Sequence, residues 1–106
     1  MGNYLTIDPV GLQALLADSA VLIDVRTDNE VERGRIAGAF HIPLHRLPAR
    51  LSEITPDGPV VVYCQSGARS AMAGRFLADN GCRQVYNLSG GIGAWLAHGF
   101  PIERKG

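Results

Sequence analysis

The residues with the clearest chemical potential are a cysteine and an arginine that follow a short apolar run. Residues 60–63 are three valines and a tyrosine, which is typical of a buried strand, and Cys64 comes directly after them. A polar, glycine-containing loop then leads to Arg69. A cysteine acts as a nucleophile when it is ionised, and nearby positive charge or hydrogen-bond donors promote that ionisation. The pattern therefore predicts a reactive thiolate or a loop that holds an anion.

The loop after Cys64 is suited to stabilising negative charge. A helix is predicted over residues 67–80, so the loop lies at a helix N-terminus, where backbone N–H groups are unpaired and carry partial positive charge. Gly67 lets successive amides point inward. Lowering the pKa of a thiol by about two units requires about 2.7 kcal/mol, which such donors can supply. The structural alternative is an inert cysteine at the end of a buried strand.

Predicted strands and helices alternate along the whole chain, which indicates an α/β fold with a mainly parallel sheet. The strands are predicted at residues 4–7, 21–25, 38–42, 60–63 and 84–88. The helices are predicted after Asp8 and Pro9, at residues 28–33, weakly at 44–51, at 67–80 and around Trp95, with a turn at 57–59. Ligands bind such sheets beyond the carboxyl ends of the strands, where Cys64 is predicted to lie.

Length and composition narrow the class of protein. The 106 residues suit one domain, spanning 1–106. Ten basic and ten acidic residues balance, so no overall charge would recruit nucleic acid or an anionic membrane. Two cysteines form no disulfide framework. No secretory signal and no apolar run near 20 residues is seen, so we expect a soluble cytoplasmic protein.

Three sequence signatures together resemble the single-domain form of the rhodanese family of sulfurtransferases. Residues 64–69 are similar to the family's active-site loop, Cys-x-x-Gly-x-Arg, and Ser70 opens the next helix. The N-terminal signature is matched by residues 22–26, Glu30, 34–39 and 42–43. The C-terminal signature, Gly-Gly-x-x-x-Trp, is matched by residues 85–91 with Trp95. The resemblance covers almost the whole chain.

The resemblance implies a three-layer rhodanese-like domain, with a mainly parallel central sheet of about five strands flanked by helices. It also implies catalysis through a persulfide on Cys64. The donor would be thiosulfate or a persulfide, the acceptor cyanide or a thiol, and no metal or organic cofactor would be needed. The residues expected to bind the donor are Gln65, Ser66, Gly67, Ala68, Arg69 and Ser70.

Residues near the predicted loop are expected to support it. Asp24 ends the second strand, and the family's aspartate at this position lies close to the active site. We expect Asp24 to accept hydrogen bonds from loop amides or to pair with an arginine, and Arg26 to form an ion pair with Glu30. Arg35 is a departure, since the family commonly has histidine there.

Two other functions compete with this interpretation. A cysteine followed by an arginine across a strand, loop and helix also describes protein tyrosine phosphatases and arsenate reductases, which use Cys-x5-Arg. Four residues, 65–68, separate Cys64 from Arg69, and this shorter loop suits one sulfur atom better than phosphate. The second alternative is a sulfur-relay or binding module that a protein partner loads through its own persulfide.

The remaining reactive or charged residues favour structural roles. Cys82 is either a resolving thiol for Cys64 or, as we favour, a small packing residue. Arg46 and Arg50 are expected on a solvated face, with attraction of thiosulfate as the alternative. The histidines show no metal-ligand spacing with the cysteines, so no metal site is predicted. They are His41, His45 and His98.

Overall fold

A computed structural model describes residues 3–54 and 58–104 of the chain. Its strands are β1 (Leu5–Ile7), β2 (Val21–Asp24), β3 (Phe40–His41), β4 (Pro59–Tyr63) and β5 (Gln84–Leu88). Its helices are α1 (Pro9–Ala17), α2 (Asp28–Glu32), α3 (Ala68–Asp79) and α4 (Gly91–Ala97), with 3₁₀ segments at Leu44–Arg46 and Pro48–Glu53. The predicted turn begins at Asp57, which lies outside the described residues, as do both ends of the predicted domain.

The five strands form one sheet in the order β1-β5-β4-β2-β3, and every neighbouring pair is parallel. The prediction of an α/β fold with about five mainly parallel strands is confirmed, and β4 lies at the centre. Asp24 on β2 is in register with Tyr63 on β4. Because parallel strands end at the same edge of a sheet, the segments that follow Asp24 and Tyr63 lie side by side.

Side chains of β4 pack against helices on both faces of the sheet, which gives the fold its three layers. Val60 and Val62 pack with α3 and the 3₁₀ segments in one core cluster, which also contains Cys64. Val61 and Tyr63 face the opposite side and pack with residues of α1 and α4. Side chains alternate across a strand, so a strand that is covered on both faces needs a continuous apolar sequence.

Side-chain caps set the starts of two helices. Asp8 caps α1 by accepting a hydrogen bond from the Gly11 amide over 2.7 Å, and Pro9 occupies the first turn, as predicted. Thr27 caps α2, and Glu30 bonds back to the Thr27 amide over 3.0 Å in a capping box. The box holds the Glu30 carboxylate at the edge where the strands end.

The element boundaries differ from the prediction where the chain is irregular. The strand predicted at 38–42 is only Phe40–His41, and the weak helix predicted at 44–51 is two 3₁₀ segments. Pro48 lacks an N–H donor, so an α-helix cannot continue through it. The bounds of β5 agree with the prediction.

Candidate active site

Backbone amides at the N-terminal end of α4 hold Cys64 and Gln65, the first two residues of the loop. The Cys64 carbonyl accepts a hydrogen bond from the Ile92 amide over 3.0 Å, and the Gln65 carbonyl accepts one from Gly93 over 3.3 Å. Gly91 has a φ of +59°, and a Cβ there would lie 2.4 Å from the Cys64 carbonyl oxygen. Gly91, the second glycine of the Gly-Gly signature, is therefore required by this close approach of two backbones.

Backbone amides of the loop point at the sulfur of Cys64. The Gly67 amide donates to Sγ over 3.1 Å, and the Ser70 amide lies 3.5 Å from Sγ. Gly67 has a φ of +107°, a left-handed conformation that turns its amide inward and begins α3. A Cβ on Gly67 would point at the Gly90 nitrogen and the Leu88 carbonyl, both 3.6 Å away, so backbone conformation, rather than space in the loop, requires glycine.

These hydrogen bonds determine the ionisation of Cys64. Burial by itself would raise the pKa of the thiol. Hydrogen bonds from the Ser70 hydroxyl and from the amides of Ser70, Gly67 and Ser66 act in the opposite direction and outweigh it. The pKa of Cys64 therefore lies below its ordinary value, which favours the thiolate at neutral pH.

The thiol of Cys64 is buried. Cys64 is only 1% exposed, whereas Gln65, Ser66 and Ala68 around it are exposed. The amides therefore surround a sulfur that lies beneath the loop.

Asn87 on β5 fastens the loop at two points. Its Oδ1 accepts a hydrogen bond from the Ser70 hydroxyl over 2.6 Å, and its Nδ2 donates to the Gly67 carbonyl over 3.0 Å. The Ser70 hydroxyl lies 3.4 Å from Sγ. That hydroxyl has one proton within reach of two acceptors, Asn87 Oδ1 and Sγ, whereas the Gly67 amide donates to Sγ in addition.

Arg69, on α3, is paired with a residue of α2. Its two terminal nitrogens each lie 2.7 Å from an oxygen of Glu30, in a bidentate ion pair. The hydrogen bonds from Arg69 are the main cause that lowers the pKa of Glu30 to about 2. Glu30, and more weakly the Cys64 thiolate, raise the pKa of Arg69, which places its charge within electrostatic reach of the sulfur.

The predicted ion pair between Arg26 and Glu30 is wrong. Arg26 instead pairs with Asp24, with Nη2 2.7 Å and Nε 3.1 Å from Oδ2, and both side chains are buried. Arg26 reaches only the backbone carbonyl of Glu30, over 3.4 Å, and it also donates to the Gly34 carbonyl over 2.7 Å. The prediction failed because Arg69 competes for the Glu30 carboxylate.

Asp24 forms the acidic half of this buried pair. Of the two predicted roles, the pairing with an arginine is the one that the structure contains. Asp24 also accepts a hydrogen bond from the Arg26 amide over 2.9 Å. Its carboxylate therefore holds both the backbone and the guanidinium of Arg26 in the turn after β2. The pair fixes the segment that leads to α2 and thus to Glu30.

The second cysteine lies at the other end of the sheet. Cys82 lies two residues before Gln84, which is paired with Pro59 at the start of β4. Pro59 is five residues before Cys64, so the start of β4 is about 16 Å from Cys64 along the strand. Both cysteines are free thiols, and burial raises the pKa of Cys82. This geometry favours the packing role of Cys82 over that of a resolving thiol.

The other candidates have local partners. Arg50 pairs with Glu53 over 2.9 Å, and the His41 ring lies 2.7 Å from the Arg26 carbonyl. Within residues 3–54 and 58–104, no three His, Cys, Asp or Glu side chains are grouped to hold a metal ion. In the same part of the chain, no helix combines the length and apolar composition needed to cross a bilayer.

Two features of the site are not predicted from the sequence: the role of Asn87 and the partner of Glu30. Asn87 lies within an apolar strand, and a polar side chain that is 7% exposed there is a signal that it has a specific partner. Glu30 was noticed, but its true partner is 39 residues away. The Thr-x-x-Glu spacing from Thr27 predicts the capping box, and not the contact with Arg69.

Comparison with known proteins agrees with this geometry. The family model described as "Rhodanese-like domain" matches residues 8–98. The chain belongs to the rhodanese-like domain family. A protein named "Sulfurtransferase" from Allochromatium vinosum is 47% identical over 98 residues, which cover 91% of this chain and 92% of that protein.

Further rhodanese-like proteins show the same likeness. The "Thiosulfate sulfurtransferase GlpE" of Ectopseudomonas mendocina is 34% identical over 103 residues, covering 97% of this chain and 94% of that one. The crystal structure of a rhodanese-related protein from Thermoplasma volcanium is 30% identical, with a TM-score of 0.88, and covers 96% of this chain and all of that one. The family and the three-layer rhodanese-like fold predicted from the sequence are confirmed.

Proposed function

We propose that this rhodanese-like sulfurtransferase carries a sulfane sulfur on Cys64. The single observation that supports the assignment most strongly is the position of Cys64 Sγ. It lies at the carboxyl end of the central strand and 3.1 Å from the Gly67 amide, within the family's loop. A thiolate held by main-chain donors is both ionised and oriented.

In the first half-reaction, the Cys64 thiolate attacks the outer sulfur of thiosulfate or of a persulfide donor. A sulfur–sulfur bond forms to Sγ, while the donor's own bond to that sulfur breaks. With thiosulfate, the electron pair of the broken bond leaves on sulfite. The thiolate charge moves to the terminal sulfur of the Cys64 persulfide, so charge and electrons balance.

In the second half-reaction, a nucleophilic acceptor attacks the terminal sulfur. The acceptor is cyanide in an assay or a thiol, including a protein thiol. The bond between the two sulfurs breaks, and its electron pair returns to Sγ as the thiolate. Covalent transfer in two steps predicts ping-pong kinetics.

The donor-binding residues are proposed to act mainly through their backbone. The main chain of residues 65–70 would surround the terminal sulfur, and its amides would stabilise the charge that develops there, as an oxyanion hole does. The short span of four residues between Cys64 and Arg69 suits a single sulfur atom. Arg69 and Asp24 would hold the loop and its neighbour through their ion pairs with Glu30 and Arg26.

The test is thiocyanate formation from thiosulfate and cyanide by three proteins. The unmodified chain should be active, and Cys64→Ser should lose activity by at least about a hundredfold because the covalent carrier is gone. Cys82→Ser is the matched control and should keep most of the activity. Substantial activity in Cys64→Ser, or equal loss in both variants, would refute the assignment.

A further inference from the structure

The positive charge of Arg69 beside the Cys64 loop is offset by a carboxylate. Arg69 is the second residue of α3 and lies within electrostatic reach of Cys64. Both of its terminal nitrogens are used by the Glu30 carboxylate at 2.7 Å, and the two side chains are 36% and 24% exposed. At Arg69, an incoming anion therefore meets an arginine whose charge is offset by the Glu30 carboxylate.

The second ion pair at this edge of the sheet is neutral as well. Arg26 and Asp24 are buried against each other beneath the segment that leads to α2. Arg33 shares a surface pocket with Glu30 and Gln65, so some positive charge remains at the rim. The local field at the loop thus depends on Arg33 and on how far Glu30 offsets Arg69.

This neutrality matters because sulfane-sulfur donors differ in charge at the reacting end. Thiosulfate is a dianion, whereas thiosulfonates, and persulfides at their reacting end, carry one negative charge. A carboxylate near the path of the donor repels the dianion about twice as strongly as it repels the monoanion. Removing Glu30 would leave Arg69 unpaired and would reverse this effect.

We propose that Glu30 is a specificity-determining residue, which offsets Arg69 and so lowers the selectivity of the Cys64 loop for doubly charged thiosulfate relative to singly charged sulfane-sulfur donors. The proposal rests on the proposed function, since it concerns the first half-reaction at Cys64. It assigns to Glu30 a role beyond fastening the loop, because the role depends on the donor's charge.

Two donors of nearly the same shape isolate the effect of charge. Methanethiosulfonate differs from thiosulfate by a methyl group in place of one charged oxygen, and both deliver the same outer sulfur. Attack by Cys64 releases methanesulfinate from the first and sulfite from the second. The ratio of kcat/KM for the two donors, divided by the ratio of their rates with free cysteine, reports selectivity by the protein.

The variant to compare is Glu30→Gln, which keeps an oxygen for the Thr27 amide and loses the charge. Asp28→Asn is the matched control, since Asp28 is on the same helix, is 78% exposed and has no ion pair with Arg69 among the described residues. At low salt, we expect Glu30→Gln to shift the ratio towards thiosulfate by about three- to tenfold. The shift should shrink as salt is raised to 0.5 M, because added ions screen exposed charges.

The outcomes separate this inference from the proposed function. A ratio that is unchanged in Glu30→Gln, or that shifts equally in Asp28→Asn, overturns the role of Glu30 while leaving the Cys64 chemistry in place. Failure of both donors to add sulfur to the unmodified chain contradicts the proposed function itself. Equal loss of kcat/KM for both donors in Glu30→Gln would mean that Glu30 only holds the loop, which also overturns the inference.

Discussion

The amide of Gly67 donates a hydrogen bond to Cys64 Sγ over 3.1 Å, although Gly67 is three residues further along the chain. The contact exists because Gly67 adopts a φ of +107°, which turns the loop back towards the end of β4. The same residue begins α3, so the partial positive charge of the helix N-terminus is aimed at the sulfur. One left-handed residue thus joins the nucleophile to its main source of stabilisation.

The first prediction concerns the ionisation of Cys64. Because hydrogen bonds lower its pKa, the rate of alkylation by iodoacetamide should rise with pH to a midpoint below about 8.5, the value of a free cysteine. Cys82 should react more slowly than Cys64 at neutral pH, since burial raises the pKa of Cys82. Cys64→Ser supplies the background from Cys82. A midpoint at or above that of free cysteine would contradict the role of the amides.

The second prediction concerns the loop contact of Asn87. Asn87→Asp keeps the shape but replaces the donor to the Gly67 carbonyl with an oxygen and adds negative charge near Sγ. We expect the alkylation midpoint of Cys64 to rise by about one pH unit, since like charge disfavours the thiolate. Asn80→Asp makes the same chemical change at an exposed position and should leave the midpoint unchanged. Equal midpoints in both variants would show that Asn87 does not position the loop.

The third prediction compares two glycines of α4. Gly91→Ala should destabilise the protein by more than about 2 kcal/mol, since its Cβ would lie 2.4 Å from the Cys64 carbonyl and its φ is left-handed. Gly93→Ala should be neutral or stabilising by up to about 1 kcal/mol, because its Cβ would lie 3.5 Å from the Gln65 carbonyl and alanine favours helix. Urea unfolding measures both. Similar stabilities would mean that the close approach at Gly91 is not required.

The fourth prediction is a pH dependence of stability from Glu30. The pKa of Glu30 falls from 4.5 to about 2 on folding, chiefly through hydrogen bonds from Arg69. A lowered pKa means that the stabilisation is present above pH 4.5 and is lost as the pH falls towards 2. The pair is partly exposed, so Glu30→Gln should cost about 1 kcal/mol at pH 7.

Urea unfolding of the unmodified chain and of Glu30→Gln between pH 7 and pH 2.5 checks this prediction. The difference in the free energy of unfolding should shrink as the pH falls. A difference that stays constant over this range would show that the ionised carboxylate does not contribute. Asp28→Asn, which leaves the Glu30–Arg69 pair intact, serves as the control.

The fold and the nucleophile could be predicted because the sequence signals for both are local. The apolar runs of β4 and β5 identify buried strands, and Cys64 and Gly67 follow β4 directly. The contact of Asp8 with the first turn of α1 is also local, and it is as predicted. The segment around Pro48 gave a weaker pattern, and there the predicted helix is two 3₁₀ segments.

The contacts between residues of different elements could not be predicted from the sequence. Glu30 meets Arg69 only because β2 and β4 are neighbours in register, which depends on the strand order. Asn87 meets Ser70 for the same reason, through the pairing of β4 with β5. The depth of Cys64 beneath its loop also follows from packing of the whole domain, and not from residues 60–70 alone.

The most direct measurement is the intact mass of the protein after incubation with thiosulfate and removal of excess donor. The unmodified chain should gain about 32 Da, one sulfur atom, and lose it again on addition of cyanide, as expected for a covalent carrier. Cys82→Ser should behave in the same way, and Cys64→Ser should gain nothing. A gain of one sulfur in Cys64→Ser, or no gain in the unmodified chain with thiosulfate, methanethiosulfonate or a persulfide, would contradict sulfur transfer through Cys64.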